Sequence, residues 1–192
     1  MCIRDRSSSL GDVTNTFITE EDNISENSNT LEIFRFRNTT LDTGTYVFVE
    51  EQERDAILAN PDFNQIFELE GSAFIAGNTP SEDLIPFFRL SSLDVPGTFL
   101  FVGNEEYDAI FADDSLFADS FERQGFDEEG NDIPEFYLLP PSSGSGDVFT
   151  RYQNINNGTY LYAGSEETIA IDNNPDFANI FTKEGSAFGS LG

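Results

Sequence analysis

Hydrophobic positions alternate along the chain in short runs, and the clearest run occurs three times. It reads GTYVFV at 44–49, GTFLFV at 97–102 and GTYLYA at 158–163. Each run leads from a Gly-Thr step into aromatic, aliphatic and aromatic positions, which is the period-two pattern of a β-strand with both faces covered. Three like runs predict an architecture built by internal repetition.

The residues around each run predict the same further elements. An alternating apolar stretch precedes the run, an acidic stretch follows it, and a second alternating stretch comes last. Acidic residues in a first turn favour a helix, because its amino end carries partial positive charge. Each segment is therefore predicted to read strand, strand, short helix, strand. The predicted first strands are 33–37, 87–90 and 148–152, the helices are Glu51–Ala59, 105–111 and 166–171, and the last strands are 70–75, 135–139 and 184–188.

Three segments follow from these elements, at 31–77, 84–139 and 147–190. The second carries an insertion at 127–134, and a Pro/Ser/Gly linker at 140–146 precedes the third. Because one segment is too short to bury its own core, we predict a single β-rich α+β domain around a pseudo-threefold axis. We predict that it closes into a ring, since closure leaves no free sheet edge; an open side-by-side array is the alternative.

The polar head at 1–30 is predicted to be a linker with one weak strand at 14–19. Met1–Arg6 resembles a translated sequencing-adaptor scar on a metagenomic gene model, so we expect the chain to be a fragment of a longer bacterial protein. The single cysteine, Cys2, has no partner for a disulfide. No signal peptide and no apolar run of about 18 residues are visible.

Composition narrows the functional classes. With 20 Phe and 6 Tyr the aromatic rings should form the core, since each buried ring removes about 150–250 Å² from water. The formal charge of -27, from 36 acidic and 9 basic residues, disfavours binding to nucleic acid or anionic membranes. This charge indicates a solubility or high-salt adaptation, or alternatively a calcium-loaded surface.

Catalytic signatures are nearly absent. The chain has no histidine, which removes serine–histidine–aspartate sets and histidine-ligated zinc. No glycine-rich phosphate loop occurs. A pair of carboxylates could still hydrolyse glycosides, but no pair stands in a distinctive setting. We therefore predict that the protein is not an enzyme, with a carboxylate-based glycoside hydrolase as the less favoured alternative.

Four landmarks in a fixed order resemble a known family. The landmarks of this chain are Phe34-Arg35-Phe36, Gly-Thr-Tyr-x-Phe, Glu-Glu-x-Glu-Arg and Glu-Gly-x-Ala-Phe. They resemble the pattern of a secreted bacterial triplet-repeat domain of unknown function. That pattern reads Tyr-Arg-Phe-Tyr-Asn, His-Phe-Tyr-Thr, Glu-Arg and Glu-Gly-x-Ala-Phe. The resemblance covers about residues 31–190, and this chain is a His-less acidic variant. It implies a non-catalytic, extracellular accessory module on a secreted or cell-surface protein.

Arg35, Arg89 and Arg151 hold the same place in the three first strands. A guanidinium between aromatic residues must be paired or stacked if it is buried, and Glu70 and Glu184 are candidate partners, with Gln124 in that place in the second segment. The arginines either tie each segment together or surround an anion or sugar pocket. The aromatic residues of the runs are either core or sugar-stacking platforms. The candidate ligand-binding residues are Arg35, Arg89, Arg151, Tyr46, Tyr160 and Tyr162.

The insertion is the best candidate for calcium, because hard cations prefer clustered oxygen ligands. Its candidate ligands are Asp127, Glu128 and Asp132, although their spacing fits neither an EF-hand nor a calcium-binding β-roll. An exposed acidic hairpin tip is the alternative. We expect no other cofactor, and a function in adhesion or ligand binding, with polysaccharide as a candidate partner. A structural spacer or assembly unit is the alternative.

Overall fold

A computed structural model describes residues 29–41 and 45–192 of the chain. The predicted weak strand at 14–19, Cys2, Gly44 of the first run and most of the polar head lie outside the described residues.

The described elements follow the predicted order, and the predicted β-rich α+β class is confirmed. The first segment contains β1 (Thr30–Asn38), β2 (Tyr46–Val49), α1 (Glu51–Ala59) and β3 (Phe67–Gly77). The second contains β4 (Ile85–Ser92), β5 (Phe99–Gly103), α2 (Asn104–Ile110), a short 3-10 helix (Ala118–Ser120), β6 (Phe121–Arg123) and β7 (Phe136–Leu138). The third contains β8 (Val148–Asn154), β9 (Tyr160–Ala163), α3 (Ser165–Asp172), α4 (Pro175–Ala178) and β10 (Phe181–Gly189).

Antiparallel pairing places the first strand of each segment between the other strands of that segment. β1 lies between β2 and β3, and β8 lies between β9 and β10. β4 pairs with β5 on one side and with both β6 and β7 on the other. The register sets each first-strand arginine opposite the second aromatic of the run: Arg35 faces Phe48, Arg89 faces Phe101 and Arg151 faces Tyr162.

The last strand of each segment is irregular at the position opposite the arginine. Gly71 lies opposite Arg35 with φ of 124°, and Gly185 lies opposite Arg151 with φ of 133°. Residues that carry a side chain rarely adopt this left-handed backbone conformation, so glycine permits a bulge at both positions. In the second segment the insertion leaves the sheet at the corresponding place, which divides the strand into β6 and β7. The insertion forms a hairpin with a bridge between Phe126 and Asp132.

The predicted closure into a ring of strands is wrong. The described strands form a seven-stranded sheet, in the order β2-β1-β3-β7-β4-β5 with β6 beside β4, and a three-stranded sheet, β10-β8-β9. Strands of different segments meet only near their ends, where Gly77 pairs with Tyr137 and Leu139 forms an isolated bridge with Gly189. No continuous ladder of the described strands therefore runs around the molecule.

The largest core cluster fills the centre between the three segments and is mostly aromatic. Phe48, Phe101 and Tyr162, the second aromatics of the three runs, form a triangle with centroid separations of 5.7, 5.9 and 6.2 Å. All three contacts are edge-to-face, which is a favoured geometry for aromatic pairs. The prediction that the rings of these runs form the core is confirmed for this triangle.

Three smaller clusters lie under the helices, one in each segment. Ile57 of α1, Ile110 of α2 and Ile171 of α3 are buried there. None of the helices in the described part of the chain is long and apolar enough to cross a membrane.

Replacing Phe48 with alanine is expected to lower the free energy of unfolding by about 3–5 kcal/mol, because it removes one corner of the ring triangle and leaves a cavity. Urea unfolding followed by circular dichroism measures this change. The control is Ile169→Ala on the exposed face of α3, where we expect a change below about 0.5 kcal/mol. Equal losses for the two variants would contradict a core centred on the triangle.

Candidate functional site

Arg35, Arg89 and Arg151 lie in the middle of β1, β4 and β8, and their side chains are only 21%, 15% and 18% exposed. Each guanidinium reaches out of its own segment to a helix of another segment. Arg35 contacts Glu167 of α3 at 2.7 Å. Arg89 contacts Glu53 of α1 at 2.8 Å. Arg151 contacts Glu106 of α2 at 2.8 and 2.9 Å.

These contacts run around the molecule in one direction, from the first segment to the third, from the third to the second, and from the second to the first. Each acidic partner lies near the start of its helix, where the helix dipole favours a carboxylate. Arg151 binds both oxygens of Glu106, so this contact is bidentate and directional.

A second carboxylate comes from the same segment as each arginine. Arg35 contacts Glu70 at 2.8 Å, and Arg151 contacts Glu184 at 2.5 Å, so both predicted partners are confirmed. The prediction for the second segment is wrong: the partner of Arg89 is Glu135, at 3.4 Å. Gln124 instead donates to Ser91 Oγ, since a neutral amide cannot supply the missing charge and Glu135 enters where the chain returns from the insertion.

Each guanidinium also lies over the first aromatic ring of its own run. The distances from Cζ to the ring centroid are 4.8 Å for Arg35 over Tyr46, 5.6 Å for Arg89 over Phe99 and 5.5 Å for Arg151 over Tyr160. The ring covers one face of the planar cation while carboxylates bind its edge, which suits arginine and not lysine.

Burial disfavours the charged form of Arg35 and Arg151, but their carboxylate partners outweigh it and raise the pKa of both guanidinium groups. Arg35 and Arg151 therefore stay charged, and all three arginines are paired with carboxylates. They lie at three separate interfaces between segments and do not converge on one central pocket.

The candidate tyrosines occupy two kinds of position. Tyr162 is fully buried, and its hydroxyl donates to the Phe101 carbonyl at 2.5 Å and accepts from the Phe101 amide at 3.0 Å. Its hydroxyl thus satisfies the free edge of β5, which places it in the core. Tyr46 and Tyr160 are half-buried under their arginines, and the Tyr160 hydroxyl accepts a hydrogen bond from Gln153 at 3.1 Å.

Two of the interfaces between segments contain a small cleft beside the arginine. The Arg35 cleft, between the first and third segments, has a volume of about 300 Å³, and the Arg151 cleft, between the second and third, has about 140 Å³. The same Glu-Gly-Ser-Ala sequence lines both, as residues 70–73 and 184–187. The glycine before the helix, Gly164 or Gly103, lines the opposite wall.

A larger groove of about 580 Å³ lies on the other side of the Arg151 ion pairs, between the second and third segments. Leu116 and Phe117 form its outer rim and are 91% and 62% exposed. Below them the groove combines apolar and polar side chains. Its wall includes Phe121, Tyr160, Gln153, Arg151, Glu106 and Glu184.

Sequence reasoning identified Tyr160 and Arg151 in this groove but missed Leu116 and Phe117. These two apolar residues stand between acidic residues, Asp113-Asp114 before them and Asp119 after them. Two hydrophobic residues isolated in a polar loop are a signal of an exposed contact surface, because such a loop offers them no regular buried face.

Two of the three candidate carboxylates of the insertion, Asp127 and Asp132, have partners within the protein. Asp127 accepts hydrogen bonds from the Asn131 side chain and amide at 2.8 Å, which hold its pKa below the usual value. Asp132 pairs with Arg123 at 3.1 Å. Among the residues that the structure describes, no group of three or more acidic or cysteine side chains is arranged to hold a metal ion. A calcium role for Asp127, Glu128 and Asp132 stays a prediction.

Comparisons of the chain with protein-family models, with curated proteins and with solved structures find no match.

Arg151→Ala is expected to lower the free energy of unfolding by about 1–3 kcal/mol, because two carboxylates lose their partner at a mostly buried position. The partial exposure of Glu106 (42%) keeps the loss below that for a fully buried pair. The control is Arg37→Ala, whose ion pair with Glu68 is exposed on both sides, with an expected change below about 1 kcal/mol. Thermal and urea unfolding compare the two, and a similar small loss in both would contradict a stabilising role for the Arg151 contacts.

The effect of Glu135→Gln is expected to depend on pH. Burial raises the pKa of Glu135, and Glu53 and Glu50 add to this effect against the opposing charge of Arg89. A carboxyl whose pKa is raised on folding contributes stability below its unfolded pKa and loses this contribution as the pH rises through its folded pKa. Acidification should therefore raise the unfolding free energy of the wild type relative to that of the Glu135→Gln variant.

Urea unfolding at neutral and mildly acidic pH measures this difference. Asp172→Asn provides a control of opposite sign, because hydrogen bonds from Lys183 and Tyr152 lower the pKa of Asp172. Its contribution is present above the unfolded pKa and is lost on acidification. For each variant, the quantity compared is the unfolding free energy of the wild type minus that of the variant. If this quantity changes in the same direction on acidification for Glu135→Gln as for Asp172→Asn, the raised pKa of Glu135 is refuted.

Proposed function

We propose that this chain is a non-catalytic extracellular module that binds polysaccharide in the groove between its second and third segments. The observation that carries this proposal is the combination of exposed apolar rim residues with polar side chains in one groove of about 580 Å³. This volume lies within the range of about 300–1,000 Å³ that is usual for small-molecule sites.

The chemistry of the groove suits a neutral sugar chain. Phe117 and Tyr160 offer ring surface to the carbon–hydrogen faces of a sugar, while Gln153 and the oxygens of Glu184 can bind its hydroxyl groups. The net charge of -27 repels anionic polymers, which argues against nucleic acid as a partner. A neutral polysaccharide or cell-surface glycan is the class of partner that meets both conditions.

We propose a pseudo-threefold arrangement of three repeats as the framework of this module. The cyclic contacts of Arg35, Arg89 and Arg151 with helices of other segments support it, because each arginine uses a corresponding acidic residue. The triangle of rings, with its nearly equal sides, supports it as well. In this arrangement residues 31–190 form one domain, since no segment completes its own arginine contacts.

The proposal assigns no catalytic role to the carboxylates of the groove. Both oxygens of Glu106 accept hydrogen bonds from Arg151, and Glu184 binds the same guanidinium. Both Glu106 oxygens and one Glu184 oxygen are therefore occupied, and the other Glu184 oxygen is left to bind a hydroxyl group. Location outside the cell, on a secreted or surface protein with further domains, follows the family resemblance described above.

A structural spacer or assembly unit is the second candidate function. The observation that favours it is that each candidate arginine contacts two carboxylates, one in its own segment and one in another, and so joins two segments.

Retention on insoluble polysaccharides tests the proposed function. Purified chain is expected to bind cellulose, chitin or isolated cell walls, and Phe117→Ala is expected to weaken binding roughly two- to tenfold, because an aromatic contact is worth about 0.5–1.5 kcal/mol. Phe63→Ala is the matched control, since Phe63 is an exposed residue four positions before β3, as Phe117 is before β6, and it does not line the groove. Absence of wild-type retention on all three materials, together with self-association, would favour the spacer.

A further inference from the structure

The three interfaces between segments differ at two positions beside the arginine. The residue before the core phenylalanine of the last strand is Ala73 in the first segment and Ala187 in the third, but it is Glu135 in the second. The residue before the helix is Gly164 in the third segment and Gly103 in the second, but it is Glu50 in the first.

These substitutions meet at one interface. Glu135 lies beside Arg89 and is affected by the charge of Glu50, so both large side chains face the contact between the first and second segments. The Arg35 cleft, with a volume of about 300 Å³, has Ala73 and Gly164 at the same two positions. The Arg89 interface therefore carries two glutamate side chains where the Arg35 cleft has alanine and glycine.

We propose that the Arg35 cleft is a second binding site, which takes a single neutral sugar residue or a polyol of similar size. Its floor contains the Phe149 ring, and its walls carry the Ser72 hydroxyl and the carboxylates of Glu70 and Glu167. Hydroxyl donors and acceptors around a ring are complementary to a sugar, which presents hydroxyl groups at its edge and carbon–hydrogen bonds on its faces. The volume is at the lower limit of the usual range for small-molecule sites, about 300–1,000 Å³, and fits one residue of a chain.

Charge narrows the ligand class. Arg35 is already neutralised by Glu70 at 2.8 Å and Glu167 at 2.7 Å. Glu166 and Asp147 also line the cleft, so an anion would meet like charge. Because Asp147 accepts hydrogen bonds from the amide of Ser165, it serves the start of α3 and does not require a ligand. Among the described residues no group of three acidic side chains is arranged to hold a metal ion, so we take a neutral polyhydroxyl ligand as the class.

The inference extends the proposed function to a second site, and its experiment separates the two. The probes are glucose and N-acetylglucosamine, titrated into ¹⁵N-labelled chain at millimolar concentrations while amide shifts are recorded. We expect shifts of the Gly71, Ser72 and Gly164 amides that saturate with one affinity. The Phe117→Ala variant, which alters the groove, should keep these shifts.

Ala73→Glu is expected to abolish the shifts, because it places in the Arg35 cleft the side chain that Glu135 places beside Arg89. Ala187→Glu, the same change in the Arg151 cleft, is the matched control and should leave binding at Gly71 unchanged. Ser72→Ala, at an exposed position, removes one hydroxyl and should weaken binding several-fold without a risk to folding. An absence of shifts at Gly71, Ser72 and Gly164 in wild type, or unchanged binding in both Ala73→Glu and Ser72→Ala, would overturn the proposal. If the wild-type chain is not retained on polysaccharide but still shows these shifts, the proposed binding in the groove is overturned and the proposed Arg35 site is not.

Discussion

The structure depends on three arginines that are mostly buried and must be paired. Removing a guanidinium from water is unfavourable unless carboxylates and hydrogen bonds replace the solvent. Each arginine obtains one carboxylate from its own last strand and another from the helix of a different segment. No segment therefore satisfies its own charge, just as no segment covers its own corner of the central ring triangle. The pairing of the arginines and the burial of the aromatic rings therefore hold the same surfaces of the segments together.

The second segment shows which part of this constraint is fixed. It has Gln124 where the first and third segments have glutamate, and its strand is interrupted by an insertion. The carboxylate is nevertheless supplied, by Glu135 from the far side of that insertion. The charge is thus required while its position in the sequence is free. Glu135 and Glu50 also stand at the two positions that alanine and glycine occupy at the Arg35 cleft, so the same glutamate that restores pairing changes the lining of the interface.

The sequence predicted local elements better than it predicted how they join. Period-two alternation located β2, and acidic residues in a first turn located α1, because both signals depend on neighbours in the chain. Glu70 and Glu184 were predictable because they recur beside the same glycine. Glu53, Glu106 and Glu167 were interpreted only as favourable to a helix amino end, since nothing local indicates that each reaches an arginine of another segment. Ring closure was predicted wrongly for the same reason: the advantage of leaving no free sheet edge does not determine which strands of different segments pair.

The pairing of basic residues also determines what the surface can recognise. Every lysine and arginine of the described part of the chain contacts at least one carboxylate. These pairs leave a large surplus of acidic groups at the surface and no unpaired cation among the described residues for an anionic ligand. Discrimination by charge then acts only by exclusion, because anions are repelled everywhere. Positive selection of a ligand depends on ring surfaces and hydroxyl-binding groups, and these occur together where segments meet, in the groove at Tyr160 and in the Arg35 cleft.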